Sequence, residues 1–237
     1  MMSKPLHIWI TGAGSGIGSA LVLRLGVNTR LSVSGRRSTL LDDLAERCGA
    51  DRVQVCSCDV ADASSVAQAH RMAVERFGPV DVLVNNAGIA EFAELAATPM
   101  DDFEQQIDVN LLGAIRCTKE VLPSMIERKR GMILSVNSVA ATTTFPGCAA
   151  YAASKAGLLA AMRSLRAEVR QHGIKVIDVL LGATATPIWS PEMLHENSNR
   201  MIDAGDVAAE LVHLISMIDA PQMLIEELII RPQFGDL

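Results

Sequence analysis

Residues 6–25 narrow the fold more than any other stretch. They run from an apolar segment, LHIWI, through Thr11-Gly12-Ala13-Gly14-Ser15-Gly16-Ile17-Gly18 into a helical segment at 20–25. An apolar run too short for a helix and rich in β-branched residues reads as a strand. Strand, glycine turn and helix in that order form half of a βαβ unit. The turn brings the unpaired N–H groups and positive dipole end of the helix to a bound anion, and glycines let a pyrophosphate approach the backbone. The spacing is T-G-x-x-x-G-x-G and not a strict G-x-G-x-x-G, whose third glycine would fall on Ile17 or Ser19. The alternative is a tight βα connection that binds nothing.

The alternation continues along the chain. Strands are expected at 31–34, 53–56, 80–84, 132–136, 174–181 and 224–230, and helices at 39–48, 63–77, 99–127, 149–172 and about 206–218. The helix at 99–127 should bend near Gly113 or Pro123. The apolar run at 80–84 suits the centre of a sheet covered on both faces. The pattern predicts an α/β fold, a Rossmann-type doubly wound parallel sheet, in a single domain over 1–237 with a substrate loop at about 187–203. No linker, repeat or low-complexity segment marks a second domain.

Composition excludes several function classes. A net charge of −6 with interspersed signs offers no basic face for nucleic acid. Arg128-Lys129-Arg130, the nearest thing to a basic run, reads as a helix end broken by Gly131. No stretch approaches the ~18 apolar residues of a membrane span, and the N-terminal apolar run is too short for a signal peptide. The five cysteines form no disulfide framework. Cys56 and Cys58 alternate, which places both on one strand face without a partner pair for zinc, so no metal site is expected and a reducing cytoplasm fits. The histidines His7, His70, His172, His195 and His213 are scattered. Ser138 lies in V-N-S-V-A, which lacks the G-x-S-x-G form of a serine hydrolase.

Two further places carry chemistry. At 34–37 the sequence is Ser-Gly-Arg-Arg, where an NAD site would place an acid for the ribose 2′-hydroxyl. Arg36 and Arg37 suit a 2′-phosphate instead, hence NADP, unless they are solvated surface residues. At 138–155 the chain holds its sole tyrosine, Tyr151, with Lys155 one helical turn later. On one helix face, a nearby ammonium could depress the phenol by up to roughly three pKa units and make it a general acid and base for carbonyl–alcohol chemistry. The alternative is a core tyrosine beside a surface lysine.

Together the motifs resemble the short-chain dehydrogenase/reductase family over nearly the whole chain. They occur in the family's order: TGAGSGIG at 11–18, Asp59-Val60, Asn85-Asn86-Ala87-Gly88, Asn110, Ser138 and YAASK at 151–155. The resemblance implies that Tyr151 exchanges a proton with the substrate oxygen and that Lys155 lowers its pKa and holds the nicotinamide ribose. It implies that Ser138 fixes the substrate oxygen and that Asn110 holds a water linking Lys155 to solvent. It further implies that Gly12, Ser15, Gly16, Ile17 and Gly18 line the pyrophosphate and ribose. Arg36 and Arg37 would take the 2′-phosphate, Asp59 and Val60 flank the adenine, and Asn86, Ala87 and Gly88 close the far side of the ribose.

One departure is Leu181-Gly182-Ala183-Thr184-Ala185-Thr186 in place of the family's P-G-x-x-x-T. Gly182, Thr184 and Thr186 still suit a nicotinamide carboxamide, without the proline's fixed φ. The last strand lacks the family's glycine-rich ending, and a homodimer or homotetramer is expected through the helices at 99–127 and 150–172. Three functions stay open: an NADPH-dependent reductase of a ketone, aldehyde or 3-oxoacyl group, an NAD-dependent alcohol dehydrogenase, or a non-catalytic dinucleotide sensor. Trp189, Met193, Leu194 and Met201, with Phe92 and Phe145 as neighbours, suggest an apolar, open substrate pocket, or else residues that only dock the loop on the core.

Overall fold

The computed structural model describes residues 5–236. Seven strands form one parallel sheet in the order β3-β2-β1-β4-β5-β6-β9, with β1 Leu6–Thr11, β2 Thr29–Ser34, β3 Val53–Val55, β4 Val82–Asn85, β5 Gly131–Ser138, β6 Ile174–Leu181 and β9 Glu227–Ile230. A two-residue pair, β7 Thr184–Ala185 and β8 Ile202–Asp203, stands apart. The strand order reverses direction between β1 and β4, and such a reversal opens a crevice beyond the carboxyl ends of those strands.

Both faces of the sheet are covered, which is why its central strands read as unbroken apolar runs. Ile8 and Ile10 of β1 pack with Leu21 of α1 (Gly16–Arg24), Leu41 of α2 (Ser38–Cys48) and Leu211 of α8 (Ala204–Ser216). Trp9 points to the other face, among Val66 of α3 (Ala63–Phe77), Val121 of α5 (Ala114–Arg128) and Leu158 of α6 (Ala149–Val169). Each fully buried large apolar side chain contributes about 1.5–3 kcal/mol. The Trp9 indole donates to the Ser34 hydroxyl at 2.9 Å, so its polar end is satisfied.

Several boundaries differ from the sequence reading. The helix expected over 99–127 is two helices, α4 (Met100–Ile107) and α5, joined by a π-turn at Asp108–Gly113; Pro123 lies inside α5 without ending it. The interruption therefore falls on a π-turn that ends at Gly113, and Pro123 makes none. At the end of α5 the break is Lys129, at φ 49°, and Gly131 already belongs to β5. Strand β3 stops at Val55, so Cys56 and Cys58 lie beyond it; both are buried on the same side of the sheet. Within 187–203 the chain forms a short helix, α7 (Pro191–Asn197), capped by the Ser190 hydroxyl, which accepts from the Met193 N–H at 3.2 Å. Its start signal, Ser-Pro-Glu, is of the kind that opens helices. Among the described residues, no helix is long and apolar enough to cross a membrane.

At the end of the central strands opposite the crevice, Asp81 ties three segments together. Its Oδ1 accepts from Arg128 and Arg130, each at 2.9 Å, and its Oδ2 accepts from the His7 N–H at 3.1 Å. The basic run thus closes the helix and also clamps the base of β4. Removing the carboxylate takes an acceptor from the buried His7 N–H and from both guanidiniums, which keep only the Val80 carbonyl and Asp219 as their strong partners. Asp81→Ala should lower unfolding stability by about 2 kcal/mol in urea titrations; a loss under about 0.5 kcal/mol would show the clamp to be inert.

Candidate active site

A crevice of about 490 Å³ opens over the carboxyl ends of β1 and β4. Its floor is the glycine turn, shaped by contacts to the end of β4. Asn86 donates its amide to the carbonyls of Thr11 and Gly12 at 2.9 and 3.0 Å. The Thr11 hydroxyl accepts from the N–H groups of Asn86 and Ala87, both at 3.1 Å. Gly12 and Gly16 have φ of +64° and +54°, and a Cβ on Gly18 would meet the Gly12 carbonyl at 2.5 Å. These positions admit only glycine. Helix α1 begins there, and its N-cap Ser15 makes no side-chain cap, so its first-turn N–H groups remain available to an anion. Ile17, in that first turn, packs against the core.

Beyond β2, Arg36 and Arg37 line the crevice and are exposed; Arg37 donates to the Ser15 hydroxyl at 3.2 Å. Asp59 and the buried Val60 line the same end with Cys58, while Ala87 and Gly88 line the middle. Sequence reasoning missed Thr11 and the liner Val109, while Pro187 and Ile188 line the crevice from the start of the expected substrate loop. Thr11 was legible as the first letter of its motif. Val109 was not, because only the π-turn presents it. Asn86 is placed as a brace of the glycine turn more than as a lining group. These features fit a dinucleotide: an uncapped helix start, a backbone cradle that a side chain would fill, and guanidiniums at one end.

Helix α6 and strand β5 bring Tyr151, Lys155 and Ser138 together. Lys155 is buried and donates to the Val136 carbonyl at 3.0 Å; its Nζ lies 5.7 Å from the centre of the Tyr151 ring. Asn110, on the π-turn, accepts from the Ile89 N–H at 2.8 Å and donates to the Ile89 carbonyl and the Ser154 hydroxyl at 2.9 and 3.0 Å. It meets Lys155 at Gly88, where a Cβ would stand 3.3 Å from Asn110 Oδ1 and 3.7 Å from Lys155 Nζ. The Ser138 Oγ accepts from the Ala140 N–H at 3.1 Å.

The electrostatics correct one expectation. The phenol of Tyr151 is not depressed by Lys155: burial pushes it up to about 12, against a smaller downward pull from the Ser138 hydroxyl. Burial also brings the Lys155 ammonium down to about 8, opposed by the carboxylate of Asp178. Desolvation outweighs the pairwise attraction that the i, i+4 spacing suggests, since both groups lose water together.

Toward solvent, Phe92 stacks on Trp189 with ring centres 5.1 Å apart and meets Tyr151 edge-on at 5.8 Å. The Trp189 indole donates to the Thr184 carbonyl at 3.0 Å, and the Thr184 hydroxyl turns inward to the Gly182 carbonyl at 3.1 Å. Thr186 sits against Gly16. The apolar loop residues divide. Phe92 meets the tyrosine and Trp189 stacks on Phe92, Met201 is buried, and Phe145 packs near Val139 and Leu159. His195 is exposed on α7. Among the described residues, no three His, Cys, Asp or Glu side chains gather as metal ligands.

The family model for short chain dehydrogenases matches residues 6–197. Sepiapterin reductase of Chlorobaculum tepidum is 31% identical over 238 residues, covering 96% of each chain. Glycine betaine reductase ATRR of Emericella nidulans is 32% identical over 235 residues; the match covers 94% of this chain, which spans only 18% of that protein. In three dimensions, a variant of actinorhodin polyketide ketoreductase with NADPH superposes over the whole of both chains, with a TM-score of 0.89 and 27% identity. An alcohol dehydrogenase from the archaeon Thermococcus sibiricus, complexed with 5-hydroxy-NADP, gives a TM-score of 0.88 and 26% identity over 99% of both chains. With its doubly wound sheet, glycine turn and Ser–Tyr–Lys cluster, the chain belongs to the short-chain dehydrogenase/reductase family of oxidoreductases.

Proposed function

We propose that this enzyme reduces a ketone, aldehyde or 3-oxoacyl carbonyl to an alcohol with NADPH. The observation that carries the reading is a crevice with two guanidiniums in its lining and Gly88 in its wall, against which the Lys155 ammonium comes up with the Tyr151 phenol and the Ser138 hydroxyl beside it. Arg36 and Arg37 would hold the 2′-phosphate, the α1 N-terminus with Gly12, Ser15, Gly16, Ile17 and Gly18 the pyrophosphate, and Asp59 and Val60 the adenine. Ala87, Gly88 and Lys155 would bind the nicotinamide ribose, and Thr186 with Gly182 and Thr184 the carboxamide end. A relative and a solved neighbour named as reductases support this assignment, and two solved neighbours, one of them named an alcohol dehydrogenase, carry NADP-type ligands. When bound, the dinucleotide supplies the hydride.

The chain's own groups do the rest. Ser138 and Tyr151 both hydrogen-bond the substrate oxygen, aligning the carbonyl carbon and stabilising charge as it develops on oxygen. A phenol raised to about 12 keeps its proton at neutral pH, so it starts as the donor that reduction needs. Oxidation of an alcohol, the second reading, would require the phenolate that burial disfavours. Lys155 keeps a positive charge beside the phenol as the proton leaves, and Asn110 would hold the water that returns one. The assembly proposed is a homodimer or homotetramer through α4, α5 and α6, with the exposed Met100 and Leu112 on that side of the chain. No nucleic acid or membrane partner is invoked, and the cytoplasm is the proposed location.

Three measurements test the reading. NADPH consumption with a carbonyl panel should give turnover that Tyr151→Phe lowers at least ~100-fold while leaving NADPH affinity intact; full activity in that variant would remove the assigned acid. Arg36→Ala and Arg37→Ala should each raise KM for NADPH about tenfold or more and leave NADH unaffected; equal effects on both cofactors would reassign the arginines. Because Tyr151 is the sole tyrosine, absorbance near 295 nm reads it alone. With its pKa at about 12, only about one part in a hundred should be tyrosinate at pH 10. A full tyrosinate signal at pH 8 would show that Lys155, and not burial, sets the phenol.

A further inference from the structure

A carboxylate lies where the sheet should be dry. Asp178 of β6 is fully buried on the α6 side of the sheet. It continues a polar row that crosses four adjacent strands in register, Asn85, Ser135, Asp178 and Glu227. Its Oδ2 accepts from Arg166 at 2.9 Å. That guanidinium, itself 4% exposed, also donates to the Val176 and Glu226 carbonyls at 2.8 and 2.7 Å. A buried ion pair of this kind is commonly no more stabilising than apolar residues of the same volume. Stability alone therefore does not account for it.

Its other contacts lead into the active site. Asp178 Oδ1 lies 3.5 Å from the Asn137 amide, at the outer reach of a hydrogen bond, and the Asn137 Oδ1 accepts from the Ser138 N–H at 2.8 Å. The strand segment so held is the one whose Val136 carbonyl receives the Lys155 ammonium. From α6, the charged groups on this face are Lys155, Arg163, Arg166 and Arg170, with Tyr151 and Cys148 at its start. From β9 they are Glu226 and Glu227. β4, β5, the π-turn and α5 supply neutral groups there: Asn85, Ser135, Asn137, Ser138, Asn110 and Thr118. Asp178 pairs in register with Ser135, next to the Val136 whose carbonyl holds the Lys155 ammonium, and its carboxylate opposes the loss of that proton. Burial pushes Asp178 itself up to about 7 against the pull of Arg166, so it is ionised where Lys155 titrates.

The geometry points to Asp178 as a positioning residue of the active site, the buried counter-charge that keeps Lys155 protonated and, through Asn137, fixes the strand bearing Ser138. This rests on the proposed roles of Lys155 and Ser138, but its first test needs no turnover. The chain has five lysines, so with 13C-labelled lysine the Lys155 signal can be followed through a pH titration, identified by its loss in Lys155→Met. Asp178→Asn preserves shape and an acceptor for Arg166 while removing the charge. Its Lys155 midpoint should fall by about one pH unit. The alkaline limb of kcat for carbonyl reduction should move down with it, because activity is lost as Lys155 deprotonates.

An unmoved midpoint in the folded variant overturns the inference. Should Asp178→Asn fail to fold, Asp178→Ser removes the charge with Arg166 still in place; the same downward shift is expected, and an unmoved midpoint is equally fatal. A shifted midpoint in a protein that reduces no carbonyl would sink the proposed activity and leave this inference standing.

Discussion

The hydrogen bonds between the glycine turn and the end of β4 are the constraint on which the site depends. Thr11 and Asn86 lie on neighbouring strands whose connections leave toward opposite faces, and parallel strands arranged this way diverge into a crevice. Without the Asn86 amide on the Thr11 and Gly12 carbonyls, the turn would have no reason to keep two glycines at positive φ. With it, the start of α1 faces the crevice uncapped, Arg37 reaches Ser15, and the opposite wall is set by Ala87 and Gly88. Helix α6 then crosses close enough to that wall to set Lys155, with Tyr151 one turn before it, against Gly88.

That crossing gives the site its electrostatic character. Tyr151 and Lys155 enter from a helix pressed on the sheet, so both pay for desolvation before they act on one another. The phenol stays neutral, and burial brings the ammonium near the edge of its charged range against the pull of the Asp178 carboxylate. A site so arranged is poised to donate a proton and to be tuned by buried charge. The aromatic pair over the tyrosine bounds the space on the solvent side, with Trp189 anchored through Thr184 to the same loop that brings Thr186 against Gly16.

Much of this was legible in the sequence, for identifiable reasons. Strand β6 and helix α3 were readable to the residue because each is bounded by glycine, proline or a capping side chain. The Ser138, Tyr151 and Lys155 cluster was readable because its spacing lies within one strand–helix unit. The π-turn was not, since its extra residue leaves no mark on an apolar period. The direction of the Tyr151 shift was misjudged because helical spacing reports proximity and says nothing about water. Asp178 was passed over for a related reason: inside the segment IKVIDVLL it looks like an interruption, and only the folded contacts with Asn137 and Arg166 give it neighbours.

The central claim is that this crevice delivers a hydride to a carbonyl carbon held at Tyr151. Incubating the protein with NADPH deuterated at nicotinamide C4 and a reducible ketone, then locating the label by mass spectrometry, tests it directly. The account predicts deuterium on the carbinol carbon of the product, transferred from one face of the nicotinamide only. Tight NADPH binding with no label reaching any carbonyl compound would contradict it.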